Sequence, residues 1–132
     1  MEFFDLVKRR RSIRKYQDRQ IERGDLEKII QAGLCAPNAG DGQRAIIVAV
    51  RNRALCEKIG RLNIAKFNRN SLAGSYVSSE QPSIIDDLSI RSGFYGAPTV
   101  CAVFGPKNFL YSVADAFCCA ENMALAATEL GL

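Results

Sequence analysis

Residues 113–130 are apolar around almost the whole circumference of a helix, and this constrains the fold more than any other stretch. Asp115, Asn122 and Glu129 recur at seven-residue spacing, joined by Glu121 and Thr128; the rest is Ala, Cys, Phe, Met, Leu or Val. A helix with so narrow a polar stripe must be buried, either in the core or against another subunit. Ala116, Ala120, Ala124 and Ala127 would let a neighbouring helix approach closely. At 132 residues the chain is expected to form one domain spanning residues 1–132 and to bury roughly two thirds of its unfolded surface. Its 48% hydrophobic and 24% charged residues describe a soluble globular protein, not a disordered or fibrous one.

The remaining elements follow from periodicity and punctuation. Residues 2–9 place Phe3, Leu6 and Val7 at helical spacing, with Arg10 continuing the pattern past a charged end. Residues 16–22 read as an extended connector. Residues 25–34 predict an amphipathic helix with Leu26, Ile29, Ile30, Gly33 and Leu34 on one face and Glu27, Lys28 and Gln31 opposite. Pro37 ends it, and residues 38–42 form a turn rich in types that tolerate positive φ. Residues 45–50 are apolar and β-branched, as in a strand buried on both faces. Residues 53–67 predict a third helix, with Leu55, Ile59, Leu62 and Lys66 in register. Residues 68–81, rich in Ser, Asn and Gly, read as a loop, either a lid or a plain connection. After Ala97-Pro98, residues 99–104 form a second apolar strand that Gly105-Pro106 stops. There is no internal repeat and no linker.

Charge and chemistry narrow the function. The net charge of +4 is modest, but Lys8, Arg9, Arg10, Arg11, Arg14, Lys15 and Arg19 are opposed locally only by Asp18. Such a cluster suits one anion better than a nucleic-acid footprint. Arg10-Arg11-Ser12-Ile13-Arg14 combines three cations, a hydroxyl and freed backbone donors, and can hold a phosphate through charge-assisted hydrogen bonds. The plain alternative makes Lys8 to Arg11 partners of a helix C-terminus. Histidine is absent, which removes Ser-His-Asp and Cys-His catalysis, HExxH proteases and most zinc enzymes. An enzyme of this composition uses carboxylates, lysine, tyrosine or cysteine, or lets a cofactor carry the chemistry; no metal site is expected. The five cysteines (Cys35, Cys56, Cys101, Cys118, Cys119) lack CxxC spacing and sit in apolar stretches. They read as reduced, structural thiols of a cytoplasmic protein. The adjacent Cys118 and Cys119 point in different directions on a helix, which argues against a redox pair. No window has the length of a membrane span.

Taken in order, Arg10-Arg11-Ser12-Ile13-Arg14 and then Ala36-Pro37-Asn38-Ala39-Gly40-Asp41-Gly42-Gln43 leading into a strand, the motifs resemble those of the nitroreductase family. Its usual pattern is Arg-Arg-Ser-x-Arg, then Ala-Pro-Ser-x-x-Asn-x-Gln-Pro-Trp; Ala97-Pro98 before a strand is a further match. The resemblance covers nearly the whole chain. It implies an α+β fold, a central mixed β-sheet wrapped by helices, and an intimate homodimer with two FMN sites at the interface. Arg10, Arg11, Ser12 and Arg14 would grip the FMN phosphate and ribityl chain. Pro37, Asn38 and Ala39 would come from the partner subunit and pack on the flavin ring, with Asp41 in the same turn. Gln43 would help to set that turn, and Asn68 or Asn70 would reach the flavin's polar edge. The implied activity passes hydride from NADPH or NADH through bound FMN to a small-molecule acceptor, a nitroaromatic or quinone, by ping-pong kinetics. The flavin carries the chemistry, so no side chain is catalytic and neither a nucleic acid nor a membrane is a partner.

Three departures qualify the match. Asp41 stands where Asn is usual, and Arg44-Ala45 replaces Pro-Trp; Arg44 is placed to neutralise Asp41. The family usually continues beyond the Leu-Gly-Leu that ends here at Leu132, adding strands and a tail that wraps the partner. The expectation is therefore a fragment lacking the C-terminal part of the fold, ahead of a protein that has lost part of its flavin site. Two other readings stay open: a flavin-free family member with a structural or regulatory role, and a small anion- or nucleic-acid-binding module. The second lacks the aromatics that usually interleave with basic residues for base stacking, since only Tyr16 lies close.

Overall fold

A computed structural model describes residues 2–66, 80 and 82–132. In chain order it contains α1 (Phe3–Arg9), α2 (Arg23–Leu34), a single 3-10 turn (Ala39–Asp41), β1 (Ile46–Val50), α3 (Arg53–Lys66), β2 (Val100–Phe104) and α4 (Ser112–Glu129). β1 and β2 pair in a two-stranded sheet, so the expected α+β class holds. The expected loop over residues 68–81, including Asn68 and Asn70, lies outside the described residues apart from Glu80.

The chain forms two compact units. One comprises residues up to Arg11, Ile21–Ala49 and Cys101–Leu132; the other comprises Ser12–Gln20 and Val50–Val100.

In the first unit α2 packs on α4. Ile29, Ala36, Cys119 and Met123 are buried together, flanked by Ile21, Ile47, Cys101, Val103, Ala126, Ala127 and Leu130. Polar residues fix the helix pair as well. Asn122 Nδ2 donates to the Ala32 carbonyl at 3.1 Å, meeting one of the acceptors that the last turn of α2 leaves open. α4 ends as its sequence suggests. Gly131 takes φ +76°, its N–H donates to the Thr128 carbonyl and Leu132 N–H to the Ala127 carbonyl, the paired bonds of a Schellman motif. Burial pushes the Cys119 thiol pKa up, as suits an inert core residue.

Gly33 is the close-approach point. A Cβ there would stand 2.7 Å from Met123 Cγ and 3.0 Å from Cys119 Sγ. Gly33→Val is expected to destabilise the protein by about 1–3 kcal/mol through overpacking. Gly24→Ala, at the open end of α2 with nothing within 4 Å, is expected to leave stability intact or raise it. Urea melts of both variants check this; equal midpoints would mean that α2 and α4 do not meet at Gly33.

The second unit is organised around Gln20, whose Nε2 donates to the carbonyls of Pro98 (2.7 Å) and Arg51 (3.0 Å) while its Oε1 accepts from Thr99 Oγ1 (2.7 Å). Gly60 and Gly93 meet backbone to backbone at 2.9 Å. Arg53 binds the carboxylate and carbonyl of Asp18.

One burial expectation needs correction, and one is left to an alternative the sequence offered. β1 is not buried on both faces: Ile46 (63%) and Val48 (44%) are exposed while Ile47 and Ala49 are half-buried, the alternation of a strand covered on one side. α4 is not enclosed by its own chain. Only Cys119 and Met123 are buried, on the side where α2 and α1 pack, and Val113 (69%) and Phe117 (72%) face outward, which leaves burial against another subunit as the reading of that face. Among the described residues no helix is long and apolar enough to cross a membrane.

Candidate functional site

The turn after α2 is built from its own side chains. Pro37 stops the helix, and Gly40 (φ +59°), Asp41 (φ +50°) and Gln43 (φ +49°) take left-handed conformations. Asn and Asp tolerate that region better than most residues, which accounts for Asp41 at a position where Asn is usual. Asn38 Oδ1 accepts the Gln43 N–H at 2.8 Å, and Gln43 Nε2 donates to Asp41 Oδ1 at 2.7 Å. Arg44 does not pair with Asp41. Its Nη1 donates to the Ala39 carbonyl at 2.9 Å, and its guanidinium lies over the Phe109 ring, 4.5 Å from the centroid.

Pro37, Asn38, Ala39 and Gly40 form one wall of an open hollow of about 420 Å³, and Tyr111, Asp115 and Cys118 form the other. The lining mixes a proline ring, small aliphatic groups, a phenol, a thiol, an amide and a carboxylate. Asp115 Oδ1 accepts the Ala39 N–H at 3.0 Å and so ties the two walls together. Tyr111, Asp115 and Cys118 were not picked out as site residues from sequence. The available signal was Asp115 itself, a carboxylate in the first turn of a largely apolar helix.

The basic segment follows α1. Arg11 Nη1 turns back to the carbonyls of Lys8 (2.5 Å) and Arg10 (2.8 Å), so this side chain plays the helix-end role open to it from sequence. Arg10 Nε lies 3.8 Å from Glu121 Oε1 on α4, a partly exposed pair worth about 0–1 kcal/mol. Ser12 is exposed and Arg14 half-buried. In the second unit, partial burial raises the Tyr16 phenol pKa, Tyr95 adds to the rise and Arg14 opposes it. Arg10 and Arg11 belong to the first unit, Ser12 and Arg14 to the second. Asn68 and Asn70 lie outside the described residues.

Comparison with known proteins places this arrangement. A nitroreductase from Bacteroides fragilis, solved with bound FMN, is 30% identical, with a TM-score of 0.78 over 99% of this chain and 66% of that one. A nitroreductase from Desulfitobacterium hafniense, also solved with FMN, is 26% identical with a TM-score of 0.74, covering 97% of this chain and 65% of that one. A protein from Methanothermobacter thermautotrophicus, provisionally named an NADH dehydrogenase/NAD(P)H nitroreductase, is 44% identical over 59 residues, 45% of this chain and 31% of that protein. The chain thus spans just under two thirds of the B. fragilis structure. The sequence model of the Nitroreductase family matches residues 7–132, all but the first six positions, and on that match this chain belongs to the nitroreductase family.

Proposed function

We propose that this chain is part of an FMN-dependent oxidoreductase that moves hydride from NADH or NADPH to a small acceptor such as a nitroaromatic or quinone. The observation that carries the reading is the hollow walled by Pro37, Asn38 and Ala39, the same residues that the family pattern assigns to the flavin ring. The FMN in the B. fragilis and D. hafniense structures supports the choice of cofactor. The name of the M. thermautotrophicus relative supports a nicotinamide donor.

The residues suit the group. Arg10, Arg11, Ser12 and Arg14 offer three guanidinium forks and a hydroxyl to a phosphate, and the weak pairing of Arg10 with Glu121 is easily exchanged for it. Pro37 and Ala39 present an apolar edge to a ring, and Asn38 and Gln43 stiffen that edge. When bound, FMN supplies reversible hydride acceptance and donation. The side chains bind, orient and exclude water, which needs no histidine. Donor and acceptor take turns in one pocket, giving ping-pong kinetics.

The proposed assembly is a homodimer in which the turn of one subunit meets the FMN held by the basic segment of the other. The outward-facing Val113 and Phe117 of α4 support it. Within it, residues 1–132 act as a single nitroreductase-like domain in the cytoplasm, and Asn68 or Asn70 reaches the flavin's polar edge.

The test is an FMN titration of the purified protein with two readouts. The visible spectrum should acquire a bound-flavin band that bleaches with NADH or NADPH and recovers with a nitroaromatic or quinone. Alkylation of Cys118, exposed in the hollow, should slow as FMN binds, while that of Cys35, exposed but outside the hollow, should not. No flavin uptake by the full-length protein would sink the reading in favour of a flavin-free structural role or an anion-binding one. Uptake without protection of Cys118 would move the ring out of the hollow.

A further inference from the structure

The turn that carries Pro37, Asn38 and Ala39 is not self-sufficient. Asp41 and Gln43 are non-glycine residues in the left-handed region, a conformation unfavourable in isolation and kept only where the surroundings over-determine it. Within the turn, Asn38 Oδ1 accepts from the Gln43 N–H and Gln43 Nε2 donates to Asp41 Oδ1; two further side chains act on Ala39. Its N–H donates to Asp115 Oδ1 at 3.0 Å, across 76 residues of sequence. Its carbonyl accepts from Arg44 Nη1 at 2.9 Å. Arg44 is fixed in turn by the Phe109 ring, and Phe109 lies just ahead of α4, the helix that carries Asp115. Gly42 makes room for this brace: a Cβ there would stand 1.8 Å from Arg44 Nη1.

We propose that Asp115 and Arg44 are positioning residues that clamp Ala39 from both sides and set the Pro37-Asn38-Ala39 turn in the shape that meets the flavin ring. This rests on the FMN reading above. The clamp itself is a property of the chain without cofactor and can be read separately.

The experiment measures amide hydrogen exchange over residues 39–43 without FMN, and FMN affinity by fluorescence quenching. It compares wild type with Asp115→Ala, Asp115→Asn, Arg44→Ala and Gly42→Ala, each checked by thermal melting for a folded state. Asp115→Ala should speed exchange of the Ala39 amide about tenfold, as expected for the loss of one charge-assisted bond. Asp115→Asn keeps an acceptor oxygen in place and should restore most of the protection. Gly42→Ala, which evicts the Arg44 guanidinium without removing it, should match Arg44→Ala, and both should weaken FMN binding by about tenfold. Unchanged exchange in Asp115→Ala would overturn the clamp. Faster exchange with undiminished FMN affinity would overturn the positioning role. A wild type that binds no FMN would instead overturn the cofactor reading, leaving the exchange data to judge the clamp.

Discussion

The double variant Arg10→Ala, Arg14→Ala is expected to purify without flavin and to oxidise neither NADH nor NADPH in the presence of a nitroaromatic or quinone. Each guanidinium offers charge-assisted bonds to phosphate worth about 1.5–3 kcal/mol, so losing two should weaken FMN binding by about 10²–10⁴. Arg14 is half-buried and makes contacts of its own, so a thermal melt of the variant is run beside the flavin assay to show that the fold survives. Arg10 makes one long, partly exposed contact with Glu121, and the cap on α1 comes from Arg11, which is retained. Arg23→Ala plus Arg61→Ala removes two such charges from exposed helix faces, where the partners are Glu27 at 2.8 Å and Glu57 at 3.0 Å, and serves as the control for net charge. That variant should keep its flavin. Stoichiometric FMN in the double variant would remove the phosphate assignment and, with it, the main reason for reading the basic segment as a site.

How far the sequence could foresee this structure depends on the range of the interactions. α2 and α4 were legible because their apolar spacing and their stops are local: Pro37 beyond one, and Gly131 past the other with its left-handed φ. The turn at residues 38–42 was legible for the same reason, since Asn, Gly and Asp announce positive φ. What β1 and α4 face was not. Apolar runs report that a surface needs cover, not whether the cover comes from the same chain, so Ile46 was expected inside and is found outside, and for Val113 the choice between core and another subunit stayed open. The Asp115–Ala39 bond joins positions 76 apart, and no periodicity carries information at that separation. Arg44 is an instructive error. Its proximity to Asp41 suggested an ion pair, but the left-handed turn brings Ala39's carbonyl and the Phe109 ring within its reach instead. Family resemblance supplied the roles of Pro37, Asn38 and Ala39; the hollow's far wall came only from the fold.

Phe117→Asp is expected to split the proposed homodimer and, through that, to cost the protein its flavin. Phe117 is 72% exposed on the single chain, Val113 one turn earlier is 69% exposed, and Leu110 just ahead of α4 is 83% exposed. Large apolar side chains clustered on one outward helix face mark an interaction surface. A surface substitution with no partner in its own chain should change the stability of the isolated subunit by no more than about 0.5 kcal/mol. In a two-fold interface the same change occurs twice. If each buried aromatic is worth about 2 kcal/mol at such a contact, the dimer dissociation constant rises by about 10³. Sedimentation velocity should therefore find a folded monomer. FMN should be lost with the partner, because the turn that packs on the ring would no longer be supplied across the interface. A Phe117→Asp protein that remains dimeric would place the interface elsewhere on the chain. One that becomes monomeric yet keeps stoichiometric FMN would mean that each subunit's own turn serves its own flavin, and the shared-site arrangement would fall while the cofactor assignment stood.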